Sequence, residues 1–287
     1  KIKRLWYTNF QKTALIRNTR VRWSTFRDWY TDRYMRPEFF NIIGFTIWRC
    51  WSDAMHVLDL GVHQSIAASC LAELVEEGVW THTGEDGFKV AHIAYKGWCV
   101  LRGLPPAPRF EKGRLFKTGT GFPKFTQQSA KASATRYIMR WLHYVLQRVD
   151  HAGSSMHSKR RLEMMAAFVD FEDTCERHGR FLPRAAAESL ASSMERALLL
   201  ASALAAEASA NDKFLWHIIP KFHMATHLAY DFTVSNLVRP RRTTCYADED
   251  MVGHCKKIAQ RRHGRTAGRS LVLRYAILVC TRWWTKM

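Results

Sequence analysis

Residues 129–210 constrain the fold more than any other stretch of this 287-residue chain. Apolar side chains recur there at three- and four-residue steps, beginning with Tyr137, Ile138, Trp141, Leu142, Val145, Leu146 and Val149. That spacing places them on one face of a helix and cannot line one face of a strand. Turn residues divide the stretch into helices expected at 129–150, 158–178 and 183–210, the last with Pro183 in its first turn and an alanine-rich body. The middle third is therefore expected to be all-helical, and a hydrophobic content of 47% is ample for a packed core.

The flanking segments read differently. Residues 39–50, FFNIIGFTIWRC, form the clearest strand, rich in Phe, Ile and Thr. Met55, Leu58, Val62, Ile66, Cys70 and Leu74 then mark an amphipathic helix over 53–77, with Ser52 or Asp53 as its N-cap and Gly78 as its stop. Residues 79–128 contain GLPPAPRF and KTGTGFPKF, so a mostly irregular stretch is expected, with one short helix around 90–101. An apolar run before Pro220 and a short helix after it lead to the basic turn RPRRTTCY, followed by two helices broken near Gly264 to Gly268. The resulting division is a basic aromatic segment (1–38), a strand and helix (39–78), a loop and helical insertion (79–235) and basic carboxyl-terminal helices (236–287).

A formal charge of +19 points to a polyanionic partner, with nucleic acid the leading candidate. Residues 1–36 hold ten Lys/Arg against Asp28 and Asp32, and residues 239–287 hold twelve against Asp248, Glu249 and Asp250, so the two ends are read as the basic regions. Arg239, Arg241, Arg242, Lys256, Lys257, Arg261, Arg262 and Arg265 are the expected phosphate contacts. The amino-terminal aromatics Trp6, Tyr7, Trp23, Phe26, Trp29, Tyr30 and Tyr34 offer stacking faces or, more commonly for such residues, core anchors. Seven cysteines without a CxxC pair argue against a disulfide framework and for a reducing, nuclear or otherwise intracellular compartment. No apolar run approaches the roughly 18–20 residues that span a bilayer, so no membrane partner is expected. An oligomer is compatible with the sequence. The opening KIKRLWYTNF has no initiating Met and reads as the start of a piece of a longer protein.

Two groups of acids bear on chemistry. Asp53 and His56 stand three apart where the apolar run gives way to a helix, which fits either a cap or a catalytic element. Asp248, Glu249 and Asp250 are three adjacent like charges that cap a helix or, converging on Asp53, hold a divalent cation. His223 and His227 have a chelating i, i+4 spacing, but the irregular positions of Cys245, His254 and Cys255 favour packing and hydrogen bonding over zinc. HGRTAGRS lacks phosphate-loop spacing and reads as a basic turn.

Three elements, in order, resemble CACTA-type (En/Spm-like) DNA transposases: WSDAMHVLDLGVHQSIAASCLAEL with its Asp-x-Met-His, PKFHMATHL, and CYADEDMVG with Tyr246, Glu249 and Gly253 on matching positions. The resemblance implies a DDE-type nucleotidyl transferase with an RNase H-like core interrupted by a large helical insertion. It also implies carboxylates that bind two magnesium or manganese ions for strand cleavage and transfer. It assigns Asp53 as the second acid, Glu249 as the third and His56 as the matching histidine; Asp250 is a further expected metal ligand only through the convergence of the acidic trio on Asp53. Their carboxylates would then lie within about 8 Å, around metals roughly 3.5–4 Å apart. Two departures stand beside it. Residues 1–38 lack the strand that would carry the first acid, and Ala247, Asp248 and Asp250 replace the family's Pro, Phe and Arg. The fold expected is thus mainly α with a small α/β element, an incomplete RNase H-like core. The alternative function is a non-catalytic helical nucleic-acid-binding or interaction protein built on that scaffold.

Overall fold

The computed structural model describes residues 52–80, 86–116, 121–126, 129–150 and 155–246, with single positions between 252 and 277. The strand expected at 39–50, the segment 1–38, Glu249, Asp250, Arg261, Arg262, Arg265 and the break near Gly264 lie outside the described residues. The first compact unit ends at Thr243, so Arg239, Arg241 and Arg242 belong to it rather than to the carboxyl-terminal unit 244–287.

The first unit is helical. A π-helical stretch, Met55–Val62, runs without a break into α1 (His63–Glu76); α2 (Gly87–Val100), the single turn α3 (Lys112–Leu115), α4 (Ala132–Val149), α5 (Met156–Arg177), α6 (Arg184–Ala210) and α7 (Pro220–Thr226) follow. A second π-helical stretch, His227–Val234, continues α7, and a 3-10 turn, Pro240–Thr243, closes the unit. The described residues contain no strand, only the isolated antiparallel bridge between Phe181 and Val238.

The central element is α1, buried on every side from His63 to Leu74. A helix apolar all round belongs in a core, yet this one carries polar residues, three of which bond to the surrounding backbone. Gln64 donates to the Ala130 carbonyl at 3.1 Å, Ser65 to that of His217 at 2.9 Å, and Ser69 accepts the Trp216 N–H at 2.9 Å. Each bond pins a distant segment against α1. Glu77 then Gly78, at φ 81°, end the helix, with the Gly78 and Val79 amides returning to Val75 and Leu74. This is the left-handed stop that glycine accepts without a Cβ penalty.

Around α1, helices α5 and α6 form an antiparallel hairpin whose contact face on α6 is Ala187, Ala191, Ala197 and Ala201 among Leu190, Met194 and Leu198. Small residues let the two axes approach closely. Helix α4 lies against α1 and α5, and α2 packs on α1 and α4 through Phe88, Ala91, Tyr95 and Trp98. Helix α2 begins earlier than the expected 90–101, because the Asp86 side chain accepts the Phe88 N–H and caps it. No described helix is long and apolar enough to cross a membrane.

Candidate functional site

Asp53 starts the first helical stretch. Its carboxylate accepts the Met55 N–H at 3.2 Å and the His56 N–H at 3.0 Å, while its carbonyl accepts the Val57 N–H at 3.0 Å. The His56 ring turns back through Nδ1 onto the same carboxylate. The Asp53 side chain thus caps the first turn, and His56 adds a side-chain contact to the capping carboxylate. The cap does not bury the pair: the side chains are 21% and 42% exposed for Asp53 and His56. Capping and an accessible acid–histidine pair therefore coexist.

The first and second sequence elements meet beside this cap. The Lys221 ammonium donates to the Leu60 carbonyl at 3.1 Å, and its stem lies over Gly61, where an added Cβ would meet Lys221 Cδ at 2.4 Å. Only glycine admits that approach. Burial and then Lys124 push the Lys221 pKa down, and the Asp53 charge opposes them. Next along α7, His223 is buried; its Nε2 lies 2.9 Å from Nε2 of His227, whose Nδ1 lies 2.5 Å from Asp231. The two histidines hydrogen-bond to each other and to Asp231 within the helical unit.

Two of the expected DNA contacts are structural instead. The Arg239 guanidinium donates to the carbonyls of Cys175 and His178, both at 2.9 Å. The Arg241 side chain, only 8% exposed, donates to both oxygens of Asp59, at 2.6 and 2.9 Å, and to Glu172. Neither guanidinium is presented to a phosphate. Arg242, Lys256 and Lys257 are exposed.

Arg241 also bears on metal binding. Asp59, His63 and Glu172 bring ligand atoms within 4.8 Å of one another, a donor set able to hold a metal ion. The cation in that set is the guanidinium. Burial opposes the Asp59 charge, but Arg241 and the His63 hydrogen bond outweigh it and hold the carboxyl well below the usual carboxylate range. A metal would have to displace a buried ion pair. The expected ligands Glu249 and Asp250 lie outside the described residues, so the Asp53–Glu249 spacing is not among the observations.

A second arginine forms a larger hub. Arg161 is fully buried and donates Nε and Nη2 to Asp150, Nη1 to Glu73, and Nη1 and Nη2 to Glu77, at 2.7–2.9 Å. All five guanidinium donors are used. His157 bridges Glu73 at 2.9 Å and Glu207 at 3.2 Å at the edge of a cleft of about 610 Å3, also lined by Glu76 and Lys213.

The feature missed by assigning the charge to the two ends lies between them. Residues 87–149 hold twelve Lys/Arg against the single acid Glu111. In this arm the Arg102 guanidinium sits 4.4 Å from the Trp98 ring centre and 5.5 Å from that of Tyr144, and Arg148 covers the Tyr144 ring at 3.5 Å. A charge count over successive windows reveals the excess; the pairing of α2 with α4 that builds the ladder is tertiary.

Comparison of the chain with protein-family models, with characterised proteins and with solved structures finds no match.

Proposed function

We propose that this chain is a DNA-binding, transposase-like protein, with strand cleavage and transfer by two-metal chemistry in the complete protein. One observation carries the reading. The Asp-x-Met-His element and the Pro-Lys-x-His element, bridged by a hydrogen bond across 161 residues from Lys221 to Leu60, pack directly together through Gly61. Elements that share one site must meet in space.

In this reading Asp53 and Glu249, with Asp250, hold magnesium or manganese, which supplies Lewis-acid stabilisation of the attacking and leaving oxygens. A carboxylate oxygen accepts more than one bond, so capping does not exhaust Asp53. His56 orients the Asp53 carboxylate. The strand at 39–50 would present Asp53 at the edge of an RNase H-like core, and α2 to α7 would be its helical insertion.

The test is binding of duplex DNA by the whole chain at several salt concentrations, followed by nicking of supercoiled plasmid with magnesium or manganese. The expected result is affinity that falls steeply with salt, as counterion release requires, with nicking by the complete protein lost in Asp53→Asn. Absence of binding at low salt overturns the proposal. The cap geometry of Asp53 favours a second reading, a non-catalytic DNA-binding scaffold. Salt-dependent binding without any metal-dependent nicking selects it.

A further inference from the structure

We propose that the outer face of α2 and α4, centred on Arg102 and Arg148, docks the sugar–phosphate backbone of duplex DNA. The inference rests on the DNA-binding reading above and assigns the surface responsible.

Charge is the first argument. Of the chain's net +19, residues 87–149 contribute twelve cations and one anion, and neither α2 nor α4 contains an Asp or Glu. Arg136 and Arg140, on the side of α4 facing α5, are neutralised by Glu172, Asp173 and Glu176. Arg102 and Arg148 are exposed. Among the described residues neither has a carboxylate partner. Lys89 and Lys96, both exposed on α2, add to the charge of the arm but lie round the helix from Trp98.

Geometry is the second. Each guanidinium lies on an aromatic ring and spends one donor on a backbone carbonyl of the preceding turn: Arg102 on Trp98 at 3.5 Å, Arg148 on Tyr144 at 2.8 Å. Trp98 is in turn fixed to the aromatic core by its 6.4 Å stack on Tyr95, which meets Trp141 edge-on at 5.4 Å, and Tyr144 is partly buried against the hydrophobic core. Two long side chains that would otherwise lose rotamer freedom on binding are thus already ordered, with their remaining donors turned outward.

The same arrangement selects the ligand. The outer faces of both rings are covered by guanidinium, so they are not platforms on which unpaired bases stack. A planar donor fork suits phosphate oxygens. The contact is therefore with backbone, tolerant of sequence, and made to duplex as readily as to single strands.

The experiment compares the whole chain, Arg102→Gln/Arg148→Gln, and a charge-matched control, Arg184→Gln/Arg196→Gln, whose arginines sit in exposed ion pairs on α6. Duplex affinity is measured by fluorescence anisotropy across a salt series, with thermal melting to confirm folding. Losing two phosphate contacts should lower the slope of log affinity against log salt by about 2 and weaken binding on the order of 10–100-fold. The control should keep its slope. Arg102→Lys/Arg148→Lys keeps the charge without the planar fork, and should recover most of the slope but not all of the affinity. If the parent binds DNA and the Gln pair binds with an unchanged slope, this assignment fails while the DNA-binding reading stands. If the parent binds no DNA at low salt, both fail. Equal affinity for polyglutamate would assign the face to an acidic protein and overturn the inference.

Discussion

Two regions of this molecule use arginine in opposite ways. Around α5, Arg161 and Arg241 are buried, each held by carboxylates drawn from remote parts of the chain, and their charge is cancelled where it sits. Along α2 and α4, Arg102 and Arg148 lie on aromatic rings at the surface, and their charge remains directed at solvent. A guanidinium in a low-dielectric interior must be paired or the fold fails. One exposed on an aromatic face is ordered without being neutralised. Net charge therefore says little about which cations meet a polyanion; partners decide it.

The sharpest break of this contrast is Arg161→Met. It should destabilise the fold by roughly 3–5 kcal/mol, because Asp150 would be left buried with its charge uncompensated and Glu73 with His157 alone. Chemical denaturation reads the loss directly. Arg161→Lys should recover little, since three donors cannot replace five. A loss below about 1 kcal/mol would place Arg161 with the surface arginines.

Arg241→Met comes next, at about 3 kcal/mol or somewhat more, since Asp59 and Glu172 lose their shared partner. It sharpens the contrast through a second readout: the salt slope of DNA binding, measured where the variant is folded, should not move. The same site governs the acid side. A depressed Asp59 pKa stabilises the fold above the unfolded carboxylate value, about 3.9. That contribution is lost only as pH falls through the lower native value. Acid unfolding of the parent should therefore persist to lower pH than that of Arg241→Met.

How far these regions could be read from sequence follows from the kind of signal each carries. Helices expected at 129–150, 158–178 and 183–210 are found at Ala132–Val149, Met156–Arg177 and Arg184–Ala210, because apolar periodicity is a local record of the buried face. Helix α2 was less legible: exposed Ile93, Val100 and Leu101 blur its stripe of Phe88, Ala91, Tyr95 and Trp98. The π-helical stretches leave no mark in a three-and-four pattern. Arg241 was misread as a DNA contact because its partners, Asp59 and Glu172, are 182 and 69 residues away, and composition does not see across that distance. Asp53 was legible as a cap, and its cap bonds are present, but its relation to Glu249 depends on residues beyond those described.

Asp53 belongs to neither class: it is a part-exposed acid that caps the first helical turn. Asp53→Ala should cost about 1 kcal/mol, the usual worth of an N-cap, and Asp53→Asn clearly less, because an amide oxygen still accepts the Met55 or His56 N–H. Thermal melting separates the two. A loss several-fold larger for Asp53→Ala would mean that the carboxylate holds together more than the first turn.

The smallest effect compares two histidines, one in each region. His157 at the acidic cleft has a raised pKa, first because Glu73 accepts its hydrogen bond and against the opposing cost of burial, with Glu207 adding to the rise. A raised native value gives stability that is complete below the unfolded pKa, about 6.5, and is lost as pH rises through the native value. His143, on α4, is shifted the other way: burial disfavours its charged form, and Asp170 and Asp173 only partly offset this. Its contribution is therefore unfavourable at low pH, so stability should be lost as pH falls below about 6.5. Stability measured from pH 5 to 9 should change by no more than about 1 kcal/mol from either residue. His157→Gln should flatten the alkaline side of that profile and His143→Gln the acid side. The two substitutions acting on the same side would break the contrast between a histidine held charged by carboxylates and one held neutral by burial.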